Sequence, residues 1–143
     1  MPKIEFNTGL VEYEINGQAK VVFNPTDAGF IERIFDAFDE LDRQQEAYSA
    51  EIEAQTDNAG VFRVARKMDS EMRARIDAAF GAPGTAEAVF GGVNVYALAD
   101  GLPVWCNLML AVIDEMDTGF AREKKASNPR VQKYLAKYNR RKK

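Results

Sequence analysis

The chain has 143 residues, 46% of them hydrophobic and 29% charged, with a net charge of −3. That length suits one domain whose core is large enough to stand without a disulfide or a structural metal. Histidine is absent and cysteine occurs once, which removes the commonest general base, the commonest transition-metal ligand and any internal disulfide. Nowhere do 18 apolar residues run together, and the start, Met1-Pro2-Lys3-Ile4-Glu5-Phe6, lacks the apolar core of a signal peptide. A cytoplasmic location, with no membrane partner, is the expectation.

The first predicted element is β. Val11, Tyr13 and Ile15 alternate with polar residues, Asn16-Gly17 follows, and Ala19, Val21 and Phe23 resume the alternation. Asn-Gly between two alternating runs marks a hairpin, because both turn residues must accept positive φ. Strands are predicted near 10–15 and 18–23, and Ile4 and Phe6 suggest a third at 3–7.

Asn24-Pro25-Thr26-Asp27 switches the period, with Asn24 as the expected cap and Pro25 at the first helical position. Phe30, Ile31, Ile34, Phe35, Phe38 and Leu41 then recur at helical spacing, continued by Tyr48 and Ile52. The first helix is predicted over about 25–55. After a break at Thr56–Gly60, Val61, Ala65, Met68, Met72, Ile76 and Phe80 set a second helix over 61–80, ended by Gly81. Residues 85–90 suit one helical turn, and Val93, Val95 and Ala97 a short strand. Asp100 is the expected cap of a third long helix, 100–125, with the stripe Trp105, Met109, Val112, Ile113, Met116 and Phe120. On these stripes Phe35, Phe38, Met72, Trp105 and Val112 are expected to be buried. The reading is one α+β domain over 1–127: an N-terminal β-hairpin or three-stranded meander (3–23) packed on a mainly α-helical body.

Residues 128–143 differ in kind. From Arg122 to Lys143 ten basic residues face one acid, Glu123, whereas the preceding chain holds nine basic and twenty-one acidic residues. After Asn128-Pro129, Val131, Tyr134, Leu135 and Tyr138 fall at i, i+3, i+4 and i+7 beside Lys133 and Lys137. This is a basic amphipathic C-terminal helix, and Val131, Lys133, Tyr134, Leu135, Lys137 and Tyr138 are its candidate partner-binding residues. The stripe suits a protein groove or the acidic body of the same chain. The run Arg140–Lys143 could also attract nucleic acid, though the apolar stripe argues against that partner.

No catalytic, cofactor-binding or metal-binding residue is assigned, and no cofactor is expected. Cys106 has no basic neighbour in sequence to form a thiolate and reads as a small buried residue. The carboxylates Asp36, Asp39 and Glu40, and Asp114, Glu115 and Asp117, read as solvated helix faces, since hard cations take ligands from loops or several elements. Gly81, Gly91 and Gly92 match no phosphate-binding fingerprint.

The succession of motifs has a familiar order. It runs through Ile15-Asn16-Gly17, Phe23-Asn24-Pro25-Thr26-Asp27, Val64-Ala65-Arg66-Lys67-Met68-Asp69, Phe80-Gly81 and Phe90-Gly91. Asn94-Val95-Tyr96-Ala97-Leu98-Ala99-Asp100-Gly101, Trp105-Cys106-Asn107-Leu108-Met109 and Asn128-Pro129-Arg130-Val131 follow. Over nearly its whole length the chain resembles the small tail assembly chaperone-like proteins of long-tailed phages and prophages of gut bacteria. The resemblance implies a non-enzymatic helper that keeps the tape-measure protein soluble while tube subunits polymerise around it. In such families a longer form is often made by ribosomal frameshifting near the end of the short form. The resemblance carries over no functional residue. A homo-oligomer is compatible with this role, whose rivals are a structural minor tail component of the virion and a small nucleic-acid-binding accessory protein. Met68, Met72, Met109 and Met116 could give such a helper an adaptable contact surface, although core packing is the plainer reading.

Overall fold

The computed structural model describes residues 1–125. The fold is α+β: a two-stranded antiparallel hairpin, β1 (Val11–Ile15) and β2 (Ala19–Phe23), packs on a mainly helical body. The body comprises α1 (Ala28–Glu53), α2 (Asn58–Phe80), a short α3 (Thr85–Phe90) and α4 (Val104–Lys125). A second, minimal hairpin, β3 (Leu98–Ala99) and β4 (Leu102–Pro103), precedes α4.

The first hairpin forms as its sequence dictates. Asn16 and Gly17 sit at φ 53° and 68°, and the register pairs Val11 with Phe23 and Ile15 with Ala19. β2 buries Ala19, Val21 and Phe23, while β1 leaves Val11, Tyr13 and Ile15 half-buried. The Phe23 ring stacks on Tyr13 at 4.4 Å and on Phe30 at 4.3 Å, and meets Phe80 at 6.3 Å. This aromatic column fastens the hairpin to α1 and α2.

The predicted third strand at 3–7 does not form, so the meander reduces to a hairpin. Asn24 explains why. Its Nδ2 donates to Thr8 O and its Oδ1 accepts from Thr26 N, so residues 8–9 are held beside the end of β2. Gly9, at φ 76°, lies where a Cβ would collide with the Asn24 amide. The arm therefore cannot double back onto β1 without breaking these bonds.

The same use of Asn24 shifts the start of α1 from 25 to 28. Asp27 takes over as cap, its Oδ1 accepting from Gly29 N at 3.0 Å. α2 begins at 58 rather than 61 because Asp57 accepts from Gly60 N. It ends as predicted on Gly81, left-handed at φ 68°.

α2 runs antiparallel to α1, with Arg33 Nε donating to Ala79 O at one end and Tyr48 OH to Glu71 at the other. α4 is antiparallel to α1 on its other flank. Trp105 packs edge-on against Phe38 at 5.3 Å and donates from its indole to Gln45, while Gly119 lies against Pro25. The core between these layers contains Ile34, Leu41, Ile76, Val95 and Met109, all completely buried. Met72, Trp105 and Val112 are buried as predicted, but Phe38 is half-buried and Phe35 exposed. Phe35 lies one helical step too far round α1, beyond the arc that α4 covers.

α4 also begins later than predicted. Asp100 and Gly101 adopt φ 55° and 80° and turn the β3–β4 hairpin, so Asp100 is no helix cap. The first amides of α4 are satisfied by backbone instead, Val104 N donating to Ala97 O and Trp105 N to Val95 O. Residues 93–97, predicted as a strand, form turns that place Val95 in the core.

Candidate functional site

The two clusters of carboxylates differ in their surroundings. Glu40 is engaged by Arg43 at 3.1 Å and Arg75 at 3.3 Å, while Asp36 and Asp39 face solvent. On α4, Asp114 and Asp117 are exposed and Glu115 is half-buried. Among the described residues no group of three or more carboxylates and thiols is placed to hold a metal ion. Cys106 is buried, and burial first, then the Asp42 carboxylate, pushes its thiol up from the ordinary value. That direction suppresses the thiolate a nucleophile needs.

The most organised polar cluster is one that sequence reasoning did not single out. Asp69, Arg73 and Asp77 fall four residues apart on one face of α2. Asp69 accepts from Val95 N at 2.7 Å and pairs with Arg73 at 2.9 Å. Arg73 reaches on to Glu87 and to the carbonyls of Gly91 and Val93, at 2.8 and 2.7 Å. Asp77 accepts from Gly84 N and Ala86 N. Every partner beyond the triad lies between Gly84 and Val95, so the cluster is a clamp that fastens this glycine-rich stretch to α2. Its carboxylates accept from backbone amides and from Arg73, and Arg73 donates to carboxylates and backbone carbonyls, which is the pattern of a structural clamp. The Asp-x3-Arg-x3-Asp spacing was the available signal, but nothing in the sequence tied it to residues 84–95.

Tyr96 adds the one strongly perturbed phenol. Burial, then Glu71 and Asp69, push it well above the ordinary 10.0, and its hydroxyl is buried without a hydrogen-bond partner. The unfolded chain ionises this phenol near pH 10 and the folded chain resists. Its contribution to stability is therefore complete below pH 10 and is lost as the pH rises above it. Tyr96→Phe is expected to match or slightly exceed the parent in stability at pH 7, because the change removes an unsatisfied buried group. It should also lose less stability than the parent between about pH 10 and 12, where the unfolded tyrosine ionises. Urea midpoints at both pH values check this. A loss above about 1 kcal/mol at neutral pH would show that the hydroxyl has a partner.

The molecule also presents apolar side chains to solvent. Residues 1–10 have no regular structure and leave Ile4, Phe6 and Leu10 exposed at 92%, 74% and 60%. Beside the outer edge of β1 runs a groove of about 230 Å³, floored by Tyr13, Ile15, Leu108, Ala111 and Val112 and rimmed by Glu14 and Glu115. It continues into a second hollow of about 360 Å³ between the hairpin tip, Phe90 and Val104. Among the described residues β1 has no neighbour on that edge. The four helical methionines contribute nothing to this surface, because Met68, Met72, Met109 and Met116 are all buried in the core.

The predicted partner-binding residues Val131, Lys133, Tyr134, Leu135, Lys137 and Tyr138 lie outside the described residues. Among those that are described, no helix is long and apolar enough to cross a membrane. The chain matches no protein-family model, no curated protein and no solved structure.

Proposed function

We propose that this chain is a non-enzymatic tail assembly chaperone of the long-tailed phage kind, binding tape-measure and tube proteins by direct contact in the host cytoplasm. The observation that carries the reading is the apolar arm 1–10 together with the groove along the unpaired edge of β1. An open sheet edge beside an apolar trough accepts an extended client segment, which gains backbone hydrogen bonds and buries alternate side chains. An exposed edge of this sort is a liability in a protein without a client. The sequence resemblance supplies the client class. The lack of histidine and the suppressed Cys106 thiol agree with a role that needs no chemistry.

Co-expression with a tape-measure protein of a long-tailed phage tests the proposal. The intact chain should keep that protein in the soluble fraction, removal of residues 1–10 should reduce the effect, and purified particles should lack the chain by mass spectrometry. A stoichiometric presence in particles would assign it to the virion as a minor tail component. Failure to hold the tape-measure protein, combined with tight and salt-sensitive duplex DNA binding, would assign it to nucleic acid.

A further inference from the structure

A second apolar surface lies on the opposite side of α4 from the groove. On α1, Ile31, Phe35, Phe38 and Asp42 follow one another at steps of four, three and four, along one edge of the helix. On α4, Cys106, Leu110, Ile113, Asp117 and Phe120 do the same. The two edges face each other, because the Phe38 ring meets Trp105, Asp42 acts on Cys106, and Gly119 touches Pro25. The seam between them is incompletely closed: Phe35, Leu110 and Phe120 are 48%, 40% and 42% exposed, with Ile31, Phe38 and Ile113 half-buried beneath.

The rim of the seam is acidic. Asp39, Asp42 and Glu46 on α1 and Asp114 and Asp117 on α4 take part in no ion pair among the described residues. From Val104 to Ala121, α4 carries no basic residue. The nearby basic residues of α1 are turned towards α2 or already used: Arg33 donates to Ala79 O and Arg43 pairs with Glu40. An apolar strip between two acidic rims is the complement of a helix-spaced apolar stripe between basic ones.

We propose that the α1–α4 seam is the docking surface for residues 128–143 of the same molecule, which reverse direction after α4 and lie along it through Val131, Tyr134, Leu135 and Tyr138. The charges match in sign, since this segment carries seven basic residues and no acid. The lengths match as well. Leu110 to Phe120 spans about 15 Å of α4, and fourteen residues at helical rise reach about 21 Å. Residues 126–129 extend up to about 13 Å, enough to step across one interhelical spacing of about 8–10 Å. α4 ends at Lys125, five residues past Phe120 at the end of the seam, so tethering raises the segment's local concentration over that of a second copy or a foreign helix. The inference does not rest on the tail-assembly role and concerns the chain in isolation.

A nitroxide placed by Asn139→Cys, in a full-length chain whose sole native thiol is removed by Cys106→Ala, reads the contact directly. The expected result is loss of the amide NMR signals around Phe35 and Leu110, unchanged on dilution. A mixed sample, in which only unlabelled-nitrogen molecules carry the spin label, should show no loss. Tyr134→Ala with Leu135→Ala in the same background should restore the signals. Loss of the same signals in the mixed sample would overturn the proposal in favour of contact between copies. Absence of loss at the seam would place the segment elsewhere. Unchanged loss in the double-alanine chain would reduce the effect to tethering without docking and overturn it too.

Discussion

Replacing Trp105 with alanine is expected to lower the unfolding free energy by about 3–5 kcal/mol, the range for deleting a large aromatic side chain from a core. The indole is 2% exposed, meets Phe38 edge-on at 5.3 Å, and donates to Gln45 Oε1 at 3.2 Å. It sits in the first turn of α4 and is the contact through which that helix engages the middle of α1. The truncation thus removes transfer energy, opens a cavity between two helices and strands the Gln45 acceptor. Phe35→Ala, on the neighbouring edge of α1 that no described residue covers, should cost clearly less. Equilibrium urea unfolding of both variants checks the contrast. Equal losses would mean that the seam is packed as tightly as the core.

That contrast also marks how far helical spacing can be read. The stripe Phe30, Ile34, Leu41 and Tyr48 is buried as periodicity dictates. Phe35 has the same chemistry but lies at the stripe's margin, and only the position of α4 decides whether a marginal residue is covered. The N-terminal hairpin was legible because Asn16-Gly17 has one favourable geometry. Asp100-Gly101 carries an equivalent signal, yet Asp is also a good helix cap, and the apolar run of α4 follows so closely that the cap was the natural reading. Backbone carbonyls from Val95 and Ala97 do the capping, and no local pattern announces a cap supplied by tertiary structure. Asn24 likewise has the chemistry of a cap, whereas its amide is spent on joining Thr8 to Thr26.

The candidate surfaces were legible in a different measure. The groove beside β1 depends on how the hairpin leans on α4, which is a long-range fact that no single element encodes. The charge division between body and C-terminal segment was plain from the sequence. Which part of the acidic body is apolar enough to receive a helix was not, because that requires knowing that the Phe35 edge of α1 faces the Leu110 edge of α4. The clamp on α2 was hidden for the same reason: its spacing is visible, but its partners lie up to 26 residues away.

Asp69→Ala should be the most damaging polar change, with an expected loss of about 2–3 kcal/mol. The carboxylate is only partly exposed and accepts from the amide of Val95, whose side chain is completely buried. Removing it leaves that amide without its acceptor and withdraws one of two carboxylates from Arg73. The effect should spread, because Val95 O in turn receives the Trp105 amide at the start of α4. Asp69→Asn separates the two roles. It keeps an oxygen for Val95 while losing the charge opposite Arg73, so it should cost about 1 kcal/mol, nearer the value of an ordinary hydrogen bond. Hydrogen exchange distinguishes a clamp from generic destabilisation. In Asp69→Ala the amides of Val95 and Trp105 should exchange faster by more than the change in global stability predicts, while those of the β1–β2 hairpin should follow the global change. Uniform acceleration across both regions, or an unchanged Val95 amide, would show that Asp69 does not fasten residues 84–95 to α2.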